Sequence, residues 1–139
     1  MLEFIYKTLA SIGFTHPLHP IATHIPMGMI IGGIIFKFAS IKWQNLANTA
    51  YHCYALALLG VFPTIILGLM DWQYRYHGVL NSLIIAKLVL ACVLTAFLAL
   101  TVYYEYKKTL SQRVIFILYV LCLLPTIGLG FIGGQLIFG

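Results

Sequence analysis

The chain has 139 residues, 62% hydrophobic and 8% charged, with eight Lys and Arg against three Asp and Glu. So few charges cannot solvate a soluble surface of this size, and a mean hydropathy of +1.00 excludes disorder, a collagen-like fibre and an ordinary cytosolic enzyme. This is a membrane protein, and its net charge of +5 belongs to loops and not to nucleic-acid binding. At about 20 apolar residues per spanning helix, the length holds four spans and no separate soluble domain.

Residues 1–15 are too short and too interrupted to span. Leu2, Ile5, Leu9 and Ile12 recur at three and four, with Glu3, Lys7, Thr8 and Ser11 between them, which predicts a helix lying in the interface. Lys7 breaks the apolar run, so this is read as an interfacial helix and not a secretion signal.

The first span is predicted from Pro20 to about Ile41, with Pro20 in the first turn and Lys42-Trp43-Gln44-Asn45 as the exit into headgroups. The second runs over 46–69 and leads into Met70-Asp71-Trp72-Gln73-Tyr74-Arg75-Tyr76-His77, a polar and aromatic interfacial stretch. The third covers 79–104 and the fourth 113–138. Short connections make sequence neighbours antiparallel neighbours, giving an all-α, transmembrane antiparallel four-helix bundle preceded by the interfacial helix, one membrane domain over 1–139.

Lys37, Lys42, Lys107, Lys108 and Arg113 fall on one side, against Lys7 and Arg75 on the other. The side rich in cations is expected to be cytoplasmic, with both termini on the outer side. Lys87 falls near mid-membrane, about 15 Å deeper than His77, where a charge is functional or turned to a polar cavity.

Pro63-Thr64-Ile65-Ile66-Leu67-Gly68-Leu69 is echoed by Pro125-Thr126-Ile127-Gly128-Leu129-Gly130-Phe131. A two-helix unit used twice explains the echo, and so does convergence on a Pro-kinked, Leu-rich helix. Gly28 and Gly32, and Gly130 and Gly134, each give the spacing that admits a close neighbour, either a helix or a flat cofactor. Pro26, Pro63 and Pro125 free the carbonyls of Ala22, Leu59 and Leu121 and predict bends.

Three of five histidines lie in Thr15-His16-Pro17-Leu18-His19-Pro20-Ile21-Ala22-Thr23-His24-Ile25-Pro26, and His77 opens the third span on the same side. A residue before proline is pushed out of the helical region, so His16 and His19 are expected to be extended and His24 to be the most buried. Asn81 is expected on one helical face with His77, and Asp71 and Arg75 are four apart. His52 lies roughly 28 Å from Asp71 along the second span and belongs to the other end, as a hydrogen-bonded interfacial side chain. Cys53, Cys92 and Cys122 read as packing residues, and the absence of Cys-x-x-Cys-His excludes covalent haem.

Headgroup-level helix caps account for a lone histidine, but convergent imidazoles near spans point to ligation. One imidazole from each of two facing helices holds a b-type haem, here His24 and His77 as the axial pair with His19 as the alternate. Gly28, Gly32 and Gly68 offer close approach, Met27 and Phe36 apolar walls, and Arg75 or Lys7 partners for propionates; Asp71, Asn81 and Arg75 stand behind the ligands. The same His19, His24 and His77, with Asp71, also make a site for zinc, copper or non-haem iron.

His19-Pro20, His24-Ile25-Pro26, Gly68-Leu69-Met70-Asp71-Trp72, His77-Gly78-Val79-Leu80-Asn81 and Gly133-Gly134-Gln135-Leu136-Ile137-Phe138 together resemble a family of small prokaryotic four-span membrane proteins catalogued as a domain of unknown function. The resemblance covers most of the chain. It implies a bacterial inner-membrane bundle, in places associated with cytochromes or redox modules, and haem binding as an expectation. Members often carry a further His-Gly stretch past the Gly-Gly element, which this sequence lacks up to Gly139.

Three functions are therefore expected in turn. The first is a b-type cytochrome carrying electrons between quinol and an outer-side partner such as a c-type cytochrome or another redox subunit, an electron carrier rather than a stand-alone enzyme. The second is a non-haem metal-binding membrane protein. The third is a non-catalytic anchor or assembly subunit whose glycine faces take partner helices. The bilayer is the first partner, and a second copy of the chain is another.

Overall fold

The computed structural model describes residues 2–138, with side chains over 3–136; the side chains of Leu2, Ile137 and Phe138, and Gly139, lie outside the described residues. Five helices follow one another: α1 (Leu2–Ser11), α2 (His19–Ala39), α3 (Leu46–Arg75), α4 (Ser82–Lys107) and α5 (Gln112–Phe138). The last four are long and apolar enough to cross a membrane. They form a ring in which α2 packs most closely on α3 and α4 on α5, with lighter seams between α3 and α4 and between α2 and α5.

The second span begins at Leu46 and the fourth ends at Phe138 as expected; at three other boundaries polar partners explain the shift. α2 begins at His19, because the Asp71 carboxylate takes the amides of Leu18 (3.2 Å) and His19 (2.7 Å) and so caps the helix from another span. His19 is therefore helical, not extended. α3 continues six residues past the predicted end, to Arg75, since Asp71 and Trp72 find partners there; Trp72 Nε1 donates to the Val79 carbonyl at 2.9 Å. α4 starts at Ser82, not 79, where the Asn81 side chain accepts from the Ile84 amide at 2.8 Å. His77 and Gly78, both at positive φ (49° and 72°), make the preceding turn.

α1 is amphipathic, and Tyr6, outside the predicted stripe, ties it to the bundle. Tyr6 is buried and stacks on Tyr74 with ring centroids 4.0 Å apart, while Ile12 lies beyond the helix end and is 76% exposed. Among the described residues, α1 touches the spanning helices through α3.

The buried core is narrow and follows the bundle axis through Ile30, Ile34, Tyr54, Leu94, Leu98, Ile115 and Tyr119. Large apolar side chains such as Ile31, Ile35, Phe62, Val89 and Phe131 point outward, as a surface solvated by acyl chains requires. Gly33 matters here: a Cβ at that position would stand 2.5 Å from Cδ2 of Tyr54, so only glycine lets α3 close on α2. The echoed Thr64 and Thr126 act alike, each hydroxyl bonding the carbonyl four residues back, Gly60 at 2.8 Å and Cys122 at 2.7 Å.

Candidate functional site

The predicted site residues gather at the end of the bundle where α2 and α4 begin and α3 and α5 finish, here the histidine end. Asp71 is its centre. This buried carboxylate takes three donors from two other elements: the Leu18 and His19 amides and the Tyr6 hydroxyl, the last at 2.5 Å. Burial, and then the bond to Asp71, raises the pKa of the Tyr6 phenol above its ordinary value, so it remains a donor. Asp71 is thus the N-terminal anchor of α2 and the clamp for α1.

His19 is the most deeply held imidazole of the end. Its Nδ1 lies 2.9 Å from the Thr64 carbonyl oxygen. A carbonyl can only accept, so Nδ1 carries the proton and the neutral ring keeps its lone pair on Nε2. Gly68 makes the space, since a Cβ there would stand 2.8 Å from that same Nδ1. The Ala22 carbonyl freed by Pro26 lies 3.2 Å from the Thr64 hydroxyl, sharing its one proton with the closer Gly60 carbonyl. One turn of α3 thereby fixes both the His19 ring and the proline-opened start of α2.

His24 reverses the expectation that it is the most buried: it is exposed. Five residues turn a helix through about 500°, so with His19 on α3, His24 faces roughly 140° away. It stands there with Gly28 and Gly32 on the same side of α2, and for neither glycine does any described atom beyond its chain neighbours and its own helix backbone lie within 4 Å of where its Cβ would be. Predicted to receive a helix or a flat cofactor, this face is covered by no described residue of the chain.

His77 is exposed in the positive-φ turn and not on α4. Asn81 does not share a helical face with it; its side chain is spent on capping α4. Arg75 donates to the Thr15 carbonyl and so ties down the segment that joins α1 to α2. His16 is exposed beside the Phe14 ring, and His52, at the far end, has its Nδ1 2.6 Å from the Asn48 carbonyl. Lys87 is half-buried, reaching across α4 so that its Nζ lies 4.0 Å from where a Cβ on Gly133 of α5 would be. Among the described residues no three His, Cys, Asp or Glu side chains converge to hold a metal ion.

A second polar cluster lies inside the opposite, basic end, and sequence reasoning missed it. Lys37 was counted among loop cations, yet it is 4% exposed and its Nζ is 2.5 Å from Glu105 Oε1. Tyr119 donates to the other oxygen of Glu105, the Tyr54 hydroxyl donates to the Tyr119 carbonyl at 2.8 Å, and Lys37 Nζ sits 4.9 Å from the Tyr119 ring centroid. Each of the four spanning helices supplies one member. The available signal was a cation inside a span with a single carboxylate, Glu105, at the same depth.

No curated protein and no solved structure matches the chain. Residues 15–138, all four spans and the histidine-rich start of α2, match the family described as predicted membrane protein, DUF2231. The chain belongs to that family of membrane proteins of unknown function.

Proposed function

We propose that the bundle holds a b-type haem at its histidine end and carries electrons, with His24 as first axial ligand, His77 as the second and His19 as the alternate. The observation that carries this reading is the open side of α2, where exposed His24 stands with Gly28 and Gly32 and no described side chain packs against the glycines. A planar apolar macrocycle lies closely only against backbone stripped of side chains, and an imidazole at the head of that strip is a ligand for its iron. The His19 ring, oriented through Nδ1 with Nε2 left as lone-pair nitrogen, has the arrangement that outer hydrogen bonds give to ligating histidines. In this reading the electron donor is a quinol, the acceptor an outer-side redox subunit, and the membrane the bacterial inner membrane with the basic end cytoplasmic.

The test is a reduced-minus-oxidised spectrum of the protein purified after expression with ample haem. A b-type spectrum is expected, lost in His24→Ala and retained in His16→Ala. A colourless preparation removes the reading. A haem that survives His24→Ala and His77→Ala but not His19→Ala transfers the ligand role to His19.

The same open glycines favour a second reading, an anchor whose α2 packs on a partner helix. Gly28→Leu then abolishes association while His24→Ala leaves it intact. Elemental analysis of the same sample decides on zinc, copper or non-haem iron.

A further inference from the structure

At the basic end, the last turn of α2, the α2–α3 connection and the first turn of α5 enclose a cleft of about 700 Å³. Its rim is polar, with Gln44, Gln112 and Arg113, and its wall is apolar, with Ile41, Phe116 and Ile117. The electrostatics of this end have one sign. Of the three carboxylates in the chain, Glu3 and Asp71 are at the histidine end, and Glu105 is neutralised by Lys37 inside the bundle. Lys42, Lys107, Lys108 and Arg113 are therefore left without a carboxylate partner among the described residues.

We propose that this cleft is a binding site for an anionic phospholipid. The phosphate diester is held by the Arg113 guanidinium, which suits paired phosphate oxygens, and by the side-chain amides of Gln112 and Gln44. The acyl chains run down the wall of Phe116 and Ile117, both on α5, into the bilayer. Charge complementarity selects the lipid: a zwitterionic headgroup places a second cation against Arg113, whereas an anionic one adds none. The mixed lining matches a molecule with one charged and one hydrocarbon part, and a soluble anion would leave the apolar wall unused.

Trp43 adjoins Gln44 and is 55% exposed, and Trp72 is the only other tryptophan. In a Trp72→Phe background, quenching of Trp43 by brominated phosphatidylglycerol is compared with quenching by brominated phosphatidylcholine in vesicles of otherwise equal composition. A preference of about five-fold for the anionic lipid is expected, falling toward unity in Arg113→Gln. Lys108→Gln removes the same charge from the same end but outside the cleft, and keeps the preference. Equal quenching by the two lipids overturns the proposal. So does an equal loss in both variants, which marks diffuse surface attraction. Displacement by inorganic phosphate at matched ionic strength assigns the cleft to a free anion and overturns the lipid.

Discussion

The two ends of the bundle solve the burial of polar groups in opposite ways. At the basic end Lys37, Tyr54, Glu105 and Tyr119 come one from each spanning helix; two of their bonds cross between helices whose backbones do not touch, α2 to α4 and α3 to α5, and the third joins neighbouring α4 and α5. At the histidine end the bonds of Asp71, His19, Thr64 and Tyr6 stay within α1, α2 and α3. Among the described residues only the bond from the Tyr76 hydroxyl to the Leu136 carbonyl, at 3.3 Å, reaches α5 there, and Lys87 of α4 approaches Gly133 of α5. The difference separates roles. The basic end ties four helices together, and the histidine end fixes one helix pair and leaves His24 and His77 exposed.

The largest expected effect breaks the clasp. Glu105→Leu leaves the Lys37 ammonium buried and unpaired and destabilises the bundle by about 3–5 kcal/mol, read as a lowered melting temperature in detergent. The double variant Lys37→Met with Glu105→Leu regains most of that loss, since a buried pair exchanged for packed apolar groups is close to neutral. Failure of the second substitution to rescue the first shows that the pair does more than satisfy itself.

Asp71→Ala is the matching break at the other end. It removes the cap of α2 and the Tyr6 acceptor and costs about 1–2 kcal/mol. Its more specific signature is early proteolysis between α1 and α2 with the four spans intact. Tyr6→Phe sharpens the comparison further, keeping the stack on Tyr74 and losing only the hydroxyl bond, at about 1 kcal/mol. The raised phenol pKa sets the sign with pH: the attachment of α1 is fully present below the ordinary tyrosine value of 10.0 and loosens as pH climbs beyond it. Proteolysis of α1 followed up the alkaline range checks this.

The spans were legible because long apolar runs bounded by Lys, Arg and Trp have one physical solution in a bilayer, and the short connections then fix neighbours. Their ends were not, since the partners that settle them come from far along the chain. Asp71 caps a helix that begins 52 residues earlier, and Lys37 meets Glu105 across 68 residues. No local pattern carries such a pairing. The histidines show the same limit. α2 is apolar nearly all round, so periodicity does not tell its core side from its lipid side, and His19 and His24 could not be ranked for burial until Thr64 and Gly68 fixed the first of them. That the histidines share one end was readable; which way each ring turns was not.

The clasp has a mechanical corollary. The cross-braces sit at one end, while the α2/α3 and α4/α5 leaves meet along lighter seams. Any opening between the leaves is therefore expected to hinge at the clasp and to be widest at the far end, where one leaf carries His19 and the other Lys87; the distance between spin labels placed beside those two residues measures it.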